Sequence, residues 1–174
     1  MKKLAFLFLV ALCFAACQNK ETTATAGSSS DTTKYPYTIK DPEEWEMNSD
    51  PKNLLVAMNT VKAFENSDTA ALKPLIGDSI HLIVDSYEFK GLKADFLKTA
   101  QMEMDKYKSI SITLQDRESV ISKSKKEEWV SLWYKQVSEM KDGKKDTVNF
   151  FNDLRLKEGK VIIWSEYVQH PMQK

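Results

Sequence analysis

Four side chains in this sequence have the chemistry and the strand positions expected of proton-transfer groups. His81 and Asp85 lie four positions apart, and even spacing in a predicted strand places them on one face. Asp153 and Glu166 lie in the middle of two later predicted strands. A carboxyl buried in an apolar cavity has a raised pKa, which suits acid/base catalysis near neutral pH. Exposed strand carboxylates and a surface or cavity-rim histidine are the competing interpretation.

Residue type and spacing argue against most cofactor and metal chemistry. The sequence holds two histidines, His81 and His170, and this is too few for a histidine-rich metal centre. The closest two of its five glycines, Gly77 and Gly91, are 14 positions apart, so no glycine-rich nucleotide-binding loop can be written. We therefore expect neither a metal nor an organic cofactor.

Aromatic residues are concentrated in the last predicted strands. Core packing is the default account of such residues. If some of them line a cavity instead, the ligand would be apolar and flat, such as a lipid fragment, a steroid or an aromatic polyketide. The candidate ligand-binding residues are Trp129, Trp133, Tyr134, Phe150, Trp164 and Glu166.

The first sixteen residues have the features of a secretory signal peptide. Lys2 and Lys3 give a positive start, and residues 4–16 form an unbroken apolar run that ends in small residues. A membrane-spanning helix needs roughly 20 apolar residues, so this run is too short to be one. We expect residues 1–16 to be removed.

The segment FAAC at positions 14–17 resembles the lipobox of bacterial lipoproteins. This resemblance implies that acyl chains such as palmitate are attached to Cys17, and several chains on one residue suffice for stable membrane anchoring. Gln18, by the same resemblance, favours the outer membrane of the cell envelope, with the protein facing either the periplasm or the outside. Cys13 would leave with the signal peptide, so no free thiol would remain for a disulfide, a nucleophile or a metal.

Domain boundaries follow from composition. Residues 18–34 contain no large apolar side chain, which predicts a disordered tether after the signal peptide 1–16 and the lipidated Cys17. The folded domain is predicted at 35–174.

Removing Lys2 and Lys3 leaves 25 minus 2, or 23, basic residues against 25 acidic ones, a balance that does not suggest a nucleic-acid partner.

Hydrophobic periodicity predicts helices first and a sheet last. Asp50 and Pro51 are typical of a helix start, and Asp142 with Gly143 is a strong hairpin signal. The predicted elements are a helix after Pro51, a short helix at 69–76, a hairpin across 80–89, a helix after Gly91, and strands at 110–114, 129–140, 147–156 and 161–168.

This order of elements resembles the nuclear transport factor 2-like superfamily, which includes the SnoaL-like polyketide cyclases and the ketosteroid isomerases. The resemblance rests on segment 70–80, on Phe89-Lys90-Gly91, and on segment 156–162 with the strand that follows it. It implies an α+β cone in which three N-terminal helices pack on a curved, mostly antiparallel sheet.

The resemblance also bears on catalysis. Ketosteroid isomerases use a tyrosine on the first helix, and this sequence has none between Asn53 and Asn66. SnoaL-like cyclases pair a histidine with a late-strand acid, for which His81 and Asp153 are the nearest residues. The resemblance therefore specifies a fold more closely than an activity.

The predicted sheet is apolar on both faces. Trp133 and Tyr134 must point in opposite directions, as must Phe150 and Phe151. A sheet with one solvated face alternates cleanly between apolar and polar residues, so both faces are expected to be covered. One face would hold the helices and a pocket. The other would meet a second copy in a homodimer or the protein's own N-terminal segment.

Two classes of function are open. The first is a non-enzymatic, lipid-anchored module whose pocket binds a small apolar ligand or whose sheet pairs with a protein partner. The alternative is a SnoaL-like acid/base enzyme, an isomerase, cyclase or dehydratase, that uses a pocket carboxylate. Its candidate catalytic residues are Asp85, Asp153 or Glu166, with His81 assisting. The alternative requires at least two of these side chains to converge in one buried pocket.

Overall fold

A computed structural model of the protein describes residues 36–38 and 43–170. The predicted signal peptide 1–16, Cys17 and the tether to residue 34 lie outside the described residues. The chain divides into two units, Met1–Lys40 and Asp41–Lys174, and all the elements below belong to the second. They are β1 Trp45–Met47, α1 Pro51–Glu65, α2 Thr69–Leu72, a 3₁₀ turn Lys73–Leu75, β2 Ile76–Val84, β3 Tyr87–Leu92, α3 Lys93–Met104, β4 Tyr107–Ser122, β5 Glu128–Met140, β6 Lys145–Lys157 and β7 Lys160–Gln169.

The seven strands form one sheet in the order β1-β4-β5-β6-β7-β2-β3. Strands β2 and β7 pair in parallel, and the other neighbouring strands pair antiparallel. The α+β prediction is confirmed, with helices packed on a sheet that is mixed. Tight turns connect β5 to β6 and β6 to β7, and in the second both Glu158 and Gly159 have positive φ. Such turns match the right-handed twist of antiparallel strands.

Helix α1 begins where the sequence predicts. The Asp50 side chain accepts a hydrogen bond from the backbone N–H of Lys52 at 3.0 Å, and Pro51 occupies the first turn. Ala57 and Val61 are buried on the face that meets the sheet. The core therefore lies between the helices and one face of the sheet, which we call the inner face.

The second predicted helix is shorter than expected, because α2 ends at Leu72 and β2 already begins at Ile76. Pro74 lacks a backbone N–H, so the chain tightens into a 3₁₀ turn rather than continuing the helix. Ile76 is fully buried and pairs with Val161 of β7. A Cβ on Gly77 would lie 2.8 Å from Ile162 Cγ2, which explains why glycine occupies this close approach.

Strand β4 is longer than the predicted segment 110–114. Its additional half is polar in sequence, so the hydrophobic pattern did not reveal it. The register with β5 shifts between Leu114 and Asp116, which leaves Gln115 as the extra residue of a β-bulge. A bulge increases local twist and bends the strand, which helps the sheet to curve around the helices.

Within the described part of the chain, no helix is both long and apolar enough to cross a membrane.

Candidate functional site

A cavity of about 700 Å³ lies between the helices and the inner face of the sheet. Helices α1 and α3 and strands β2, β5, β6 and β7 all contribute to its walls. Those walls are mainly aliphatic and aromatic. The aromatic side chains include Phe64, Phe96, Tyr134, Phe150 and Trp164.

Strand alternation decides which side chains enter the cavity. On β5 the buried Val130 and Leu132 point to the inner face. Tyr134, two positions further on, points the same way and lines the cavity. Its ring stacks on that of Phe150 in β6, with 5.3 Å between the ring centroids. The cavity wall is therefore a continuation of the core, at the point where the helices no longer fill the space.

Glu166 of β7 is the titratable group most affected by this environment. Tyr134 Oη donates a long hydrogen bond of 3.4 Å to Glu166 Oε2. Burial raises the pKa of Glu166 to about 7, and the negative charge of Asp85 adds to the shift. The Tyr134 hydroxyl and the amide of Asn152 favour the ionised carboxylate and so oppose the shift. Both protonation states of Glu166 are therefore populated near neutral pH.

Asn152 lies beside Glu166 across the β6–β7 pair and is fully buried. Trp164 Nε1 donates a hydrogen bond to Asn152 Oδ1. This bond fixes the orientation of the Asn152 amide, with Nδ2 pointing away from Trp164 Nε1. Within the described part of the chain, Asn152 Nδ2 lies near enough to Glu166 to favour its ionised form but completes no hydrogen bond of good geometry. A buried donor without a partner is rare and costly, so this group marks a site whose polar network is incomplete.

Two tyrosines in the cavity wall stay neutral over the physiological pH range. Burial and the nearby charge of Glu166 raise the pKa of Tyr134 well above its usual value. Burial and the charge of Glu103 raise the pKa of Tyr107. Both hydroxyls are thus available as hydrogen-bond donors.

Further acidic groups surround the cavity. Asp85 and Asp146 are exposed at its rim, while Glu103 of α3 is paired with Lys106 Nζ at 2.5 Å. His170, just after β7, also lines the rim. Carboxyl groups therefore outnumber basic side chains around this cavity.

The structure does not place His81 and Asp85 on one face, contrary to the sequence expectation. Strand β2 ends at Val84, and Asp85 adopts a left-handed backbone conformation with φ of 46°, which breaks the alternation and turns it to the cavity rim. His81 lies on the opposite, outer face. There His81 Nε2 lies 2.6 Å from Glu88 Oε1 of β3.

Asp153 and two of the candidate tryptophans also lie outside the cavity. Asp153 is on the outer face, where Ser131 Oγ donates to Asp153 Oδ1 at 2.9 Å, and burial raises the pKa of Asp153. Trp129 and Trp133 share this face, and Arg155 lies 6.0 Å from the Trp129 ring centroid. Of the candidate site residues, the structure brings five together at the cavity: Asp85, Tyr134, Phe150, Trp164 and Glu166.

Among the site residues that sequence reasoning missed are the three buried polar residues of β5 and β6, Asn152, Gln136 and Ser138. Gln136 and Ser138 lie on the same buried face of β5 as Tyr134, and Asn152 lies on the same face of β6 as Phe150. A polar residue at an inward position was therefore the signal that could have found all three.

No cluster of three histidine, cysteine, aspartate or glutamate side chains suited to hold a metal ion occurs among residues 36–38 and 43–170.

No protein-family model matches the sequence, and neither does any curated protein. Solved structures do match the fold. An LEH-like epoxide hydrolase from M. tuberculosis is 9% identical, with a TM-score of 0.57 over 70% of this chain and 86% of the other. A candidate SnoaL-like polyketide cyclase from Jannaschia sp. CCS1 is 8% identical, with a TM-score of 0.56 over 76% and 92% of the two chains.

An NTF2-like protein of unknown function from Exiguobacterium sp. 255-15 is 18% identical, with a TM-score of 0.53 over 66% of this chain and 98% of that one. At these identities the likeness shows the fold alone. The predicted nuclear transport factor 2-like, or SnoaL-like, fold is confirmed.

Proposed function

We propose that the domain binds a small, mainly apolar molecule in the inner-face cavity and that Glu166 holds the polar group of that molecule. The observation that carries the proposal is that the buried Tyr134 hydroxyl and Asn152 amide both lie beside one carboxyl within apolar walls. A volume of about 700 Å³ lies within the range of roughly 300–1,000 Å³ that is typical of small-molecule sites.

The surroundings of Glu166 are preorganised for such a ligand. The Tyr134 ring is held by stacking on Phe150, and the Trp164 ring is held by its hydrogen bond to Asn152. Rings that are fixed before binding lose little conformational freedom when a ligand packs against them. Flat apolar surfaces therefore surround one polar attachment point.

Native mass spectrometry of the full-length protein, purified gently from its membranes, tests this proposal. We expect a complex whose mass exceeds that of the chain and that releases a small molecule on denaturation. The Glu166→Gln variant should retain less of it, whereas Glu118→Gln, an exposed change on β4, should retain as much as the parent protein. Empty protein in every preparation, together with no binding from a library of small apolar compounds, would contradict the proposal.

We also propose that the protein is a lipoprotein of the outer membrane, anchored through Cys17 and facing the periplasm or the exterior. The support is the sequence: a positive start, an apolar run and the segment FAAC before a polar tether. Metabolic labelling with an alkyne-bearing palmitate analogue should mark the parent protein and not Cys17→Ser. Equal labelling of both would rule out this attachment site.

The outer face of the sheet supports a protein partner, and we propose a second copy of the chain. Trp133, Phe151 and Tyr167 present a continuous aromatic row there, and Tyr167 is 59% exposed. Sedimentation of the purified protein should show a dimer that Tyr167→Lys converts to monomer. A monomeric parent protein at high concentration would contradict this proposal.

A second candidate function is acid/base catalysis, favoured by the observation that Asp85 and Glu166 line the same cavity. A carboxyl with a pKa of about 7 can both accept and donate a proton near neutral pH. Among proteins of this fold, one is an epoxide hydrolase and another a candidate polyketide cyclase, so the fold is compatible with this function.

The retained molecule itself provides the test for catalysis. Incubated with the protein in deuterium oxide, it should take up deuterium at a carbon atom or be converted to a product. Glu166→Gln should abolish that exchange, and Glu118→Gln should not. Binding without exchange or turnover would leave the binding function and exclude the catalytic one.

A further inference from the structure

The charges around the cavity indicate which kind of molecule it takes. We propose that its ligand is an organic cation, an amine or a quaternary ammonium group on an apolar body. This inference rests on the proposed function, because it requires that the cavity binds a small molecule.

The first observation is a carboxyl without a counter-charge. Within the described residues, neither lysine nor arginine forms an ion pair with Glu166, Asp85 or Asp146. Lys106 is the one lysine or arginine that lines the cavity in this part of the chain, and it is already paired with Glu103. Buried charges in proteins are normally paired, and no lysine or arginine among the described residues pairs with Glu166, so a ligand is left to supply the matching cation.

The second observation concerns the groups that face Glu166. Tyr134 Oη donates to its carboxyl, and the buried Asn152 amide beside it has an Nδ2 without a partner in the described residues. Two donors next to a carboxyl stabilise its ionised form. The polar groups that face Glu166 are thus donors that favour its ionised form, and a cationic ligand would supply the counter-charge that no described residue supplies.

The third observation is the aromatic lining. The rings of Tyr134, Phe150 and Trp164 line the same cavity as Glu166. A cation within about 6 Å of an aromatic ring face is attracted by the ring's quadrupole, and the attraction is stronger where water is excluded. The faces of the same rings would repel an anionic headgroup of equal size.

The rim carries charge of the same sign. Asp85 and Asp146 are exposed at the entrance and would raise the local concentration of cations. The basic groups at the rim are Lys106, which is paired with Glu103, and His170. The entrance and the interior therefore favour the same class of ligand.

Three probes of matched shape test the inference on the full chain: 2-naphthylmethylamine, 2-naphthalenemethanol and 2-naphthoate, titrated by isothermal calorimetry. We expect the amine to bind about 10- to 100-fold more tightly than the alcohol, as a charge-assisted hydrogen bond predicts. The carboxylate should bind more weakly than either.

Two variants test whether the preference for the amine depends on the Glu166 carboxylate. Glu166→Gln should lower the affinity for the amine by roughly tenfold or more and change that for the alcohol by less than about threefold. Glu118→Gln, the matched exposed change, should alter neither. Binding of the alcohol by Glu166→Gln shows that this variant is folded, so a loss of amine binding is then specific.

The outcomes separate the two proposals. If the alcohol or the carboxylate binds as tightly as the amine, the cation inference is overturned and small-molecule binding stands. If the amine preference persists in Glu166→Gln, the inference is overturned because its attachment point is wrong. If none of the three probes, nor a longer series of amines and alcohols, binds, both proposals are overturned.

Discussion

The two faces of the sheet carry similar aromatic residues and use them differently. On the inner face Tyr134, Phe150 and Trp164 border an open cavity. On the outer face three rings stack across β5, β6 and β7, with Trp133–Phe151 centroids 5.0 Å apart and Phe151–Tyr167 centroids 5.6 Å apart. Neighbours in the sequence thus play opposite roles, because successive strand residues point to opposite sides.

The carboxyl groups repeat this contrast. Glu166 faces the cavity and Asp153 faces outward, and burial raises the pKa of both. Asp153 receives a hydrogen bond of ordinary length, 2.9 Å, from Ser131 that favours its ionised form, whereas the Tyr134–Glu166 bond is long at 3.4 Å. Burial is the main cause of the shift at Glu166, whose pKa reaches about 7, so the chemistry concentrates on the inner face.

Truncating one aromatic residue on each face should give the largest difference between the faces in the free energy of unfolding. Trp164 is 5% exposed and Tyr167 is 59% exposed. Trp164→Ala should lower the free energy of unfolding by about 3–5 kcal/mol, since it removes buried surface and leaves Asn152 Oδ1 without its donor. Tyr167→Ala should cost less than about 1 kcal/mol in the monomer. Urea unfolding measures both, and similar losses would mean that the outer face contributes to the core.

The pH dependence of stability should sharpen the contrast between the carboxyls. The folded-state pKa of Glu166 is about 7, above its ordinary value of 4.5. Folded protein therefore binds this proton more tightly, so its stabilising effect is complete below about pH 4.5 and is lost as pH rises through 7. At 1.36 kcal/mol per pKa unit the loss is about 3 kcal/mol.

The Glu166→Gln variant should remove this part of the pH dependence. Unfolding free energies measured in urea between pH 4.5 and pH 8 should fall less steeply in the variant than in the parent protein. Glu118→Gln serves as the control: Glu118 is exposed and its charge is the smallest of the causes acting on the pKa of Asp153, so its curve should stay close to the parent curve. Parallel curves for parent and Glu166→Gln would show that Glu166 titrates normally.

The stacked row on the outer face should contribute a smaller, pairwise effect. A double-mutant cycle with Trp133→Ala and Phe151→Ala should give a coupling of about 0.5–1.5 kcal/mol, as for other aromatic pairs. The inner pair Tyr134 and Phe150, with centroids 5.3 Å apart, provides the matched cycle. If the two losses of unfolding free energy on the outer face are additive, Trp133 and Phe151 are in contact but contribute no coupling energy.

The smallest effect is expected at Asp153. Because burial raises its pKa, its ionisation makes the folded state less stable as pH rises. Ser131 opposes the shift, so Asp153→Asn should flatten the stability profile less than Glu166→Gln does. The same urea titrations measure the two changes in slope. A larger change for Asp153→Asn than for Glu166→Gln would mean that the outer face, not the inner one, holds the carboxyl with the more strongly raised pKa.

Much of the fold could be predicted because its elements have regular hydrophobic patterns. The start of α1 at Pro51 and the strands β5, β6 and β7 lie close to their predicted positions. The polar half of β4 escaped because it shows no apolar alternation, and β1 escaped because its three residues are too few to show a period. The parallel pairing of β2 with β7 also escaped, because the two strands are distant in sequence and share no turn.

The site could be predicted in part. Tyr134, Phe150, Trp164 and Glu166 were candidates from their residue types and their positions in the last strands, and they line the cavity. His81 was paired with Asp85 because strand alternation was assumed to continue past Val84, where the chain in fact turns. The inward strand position of Asn152 was a signal that was not used, but its place beside a buried carboxyl depends on the pairing of β6 with β7.

The sequence by itself determined which residues alternate, where the helices start, and that both faces of the sheet are apolar. These properties follow from local periodicity and from capping and turn residues. Only the tertiary structure decided which face opens onto a cavity, and that Glu166 lies there among aromatic rings while Asp153 does not. The physical reason is that a pKa and a pocket depend on the groups packed around a side chain, and these come from helices and strands far apart in the sequence.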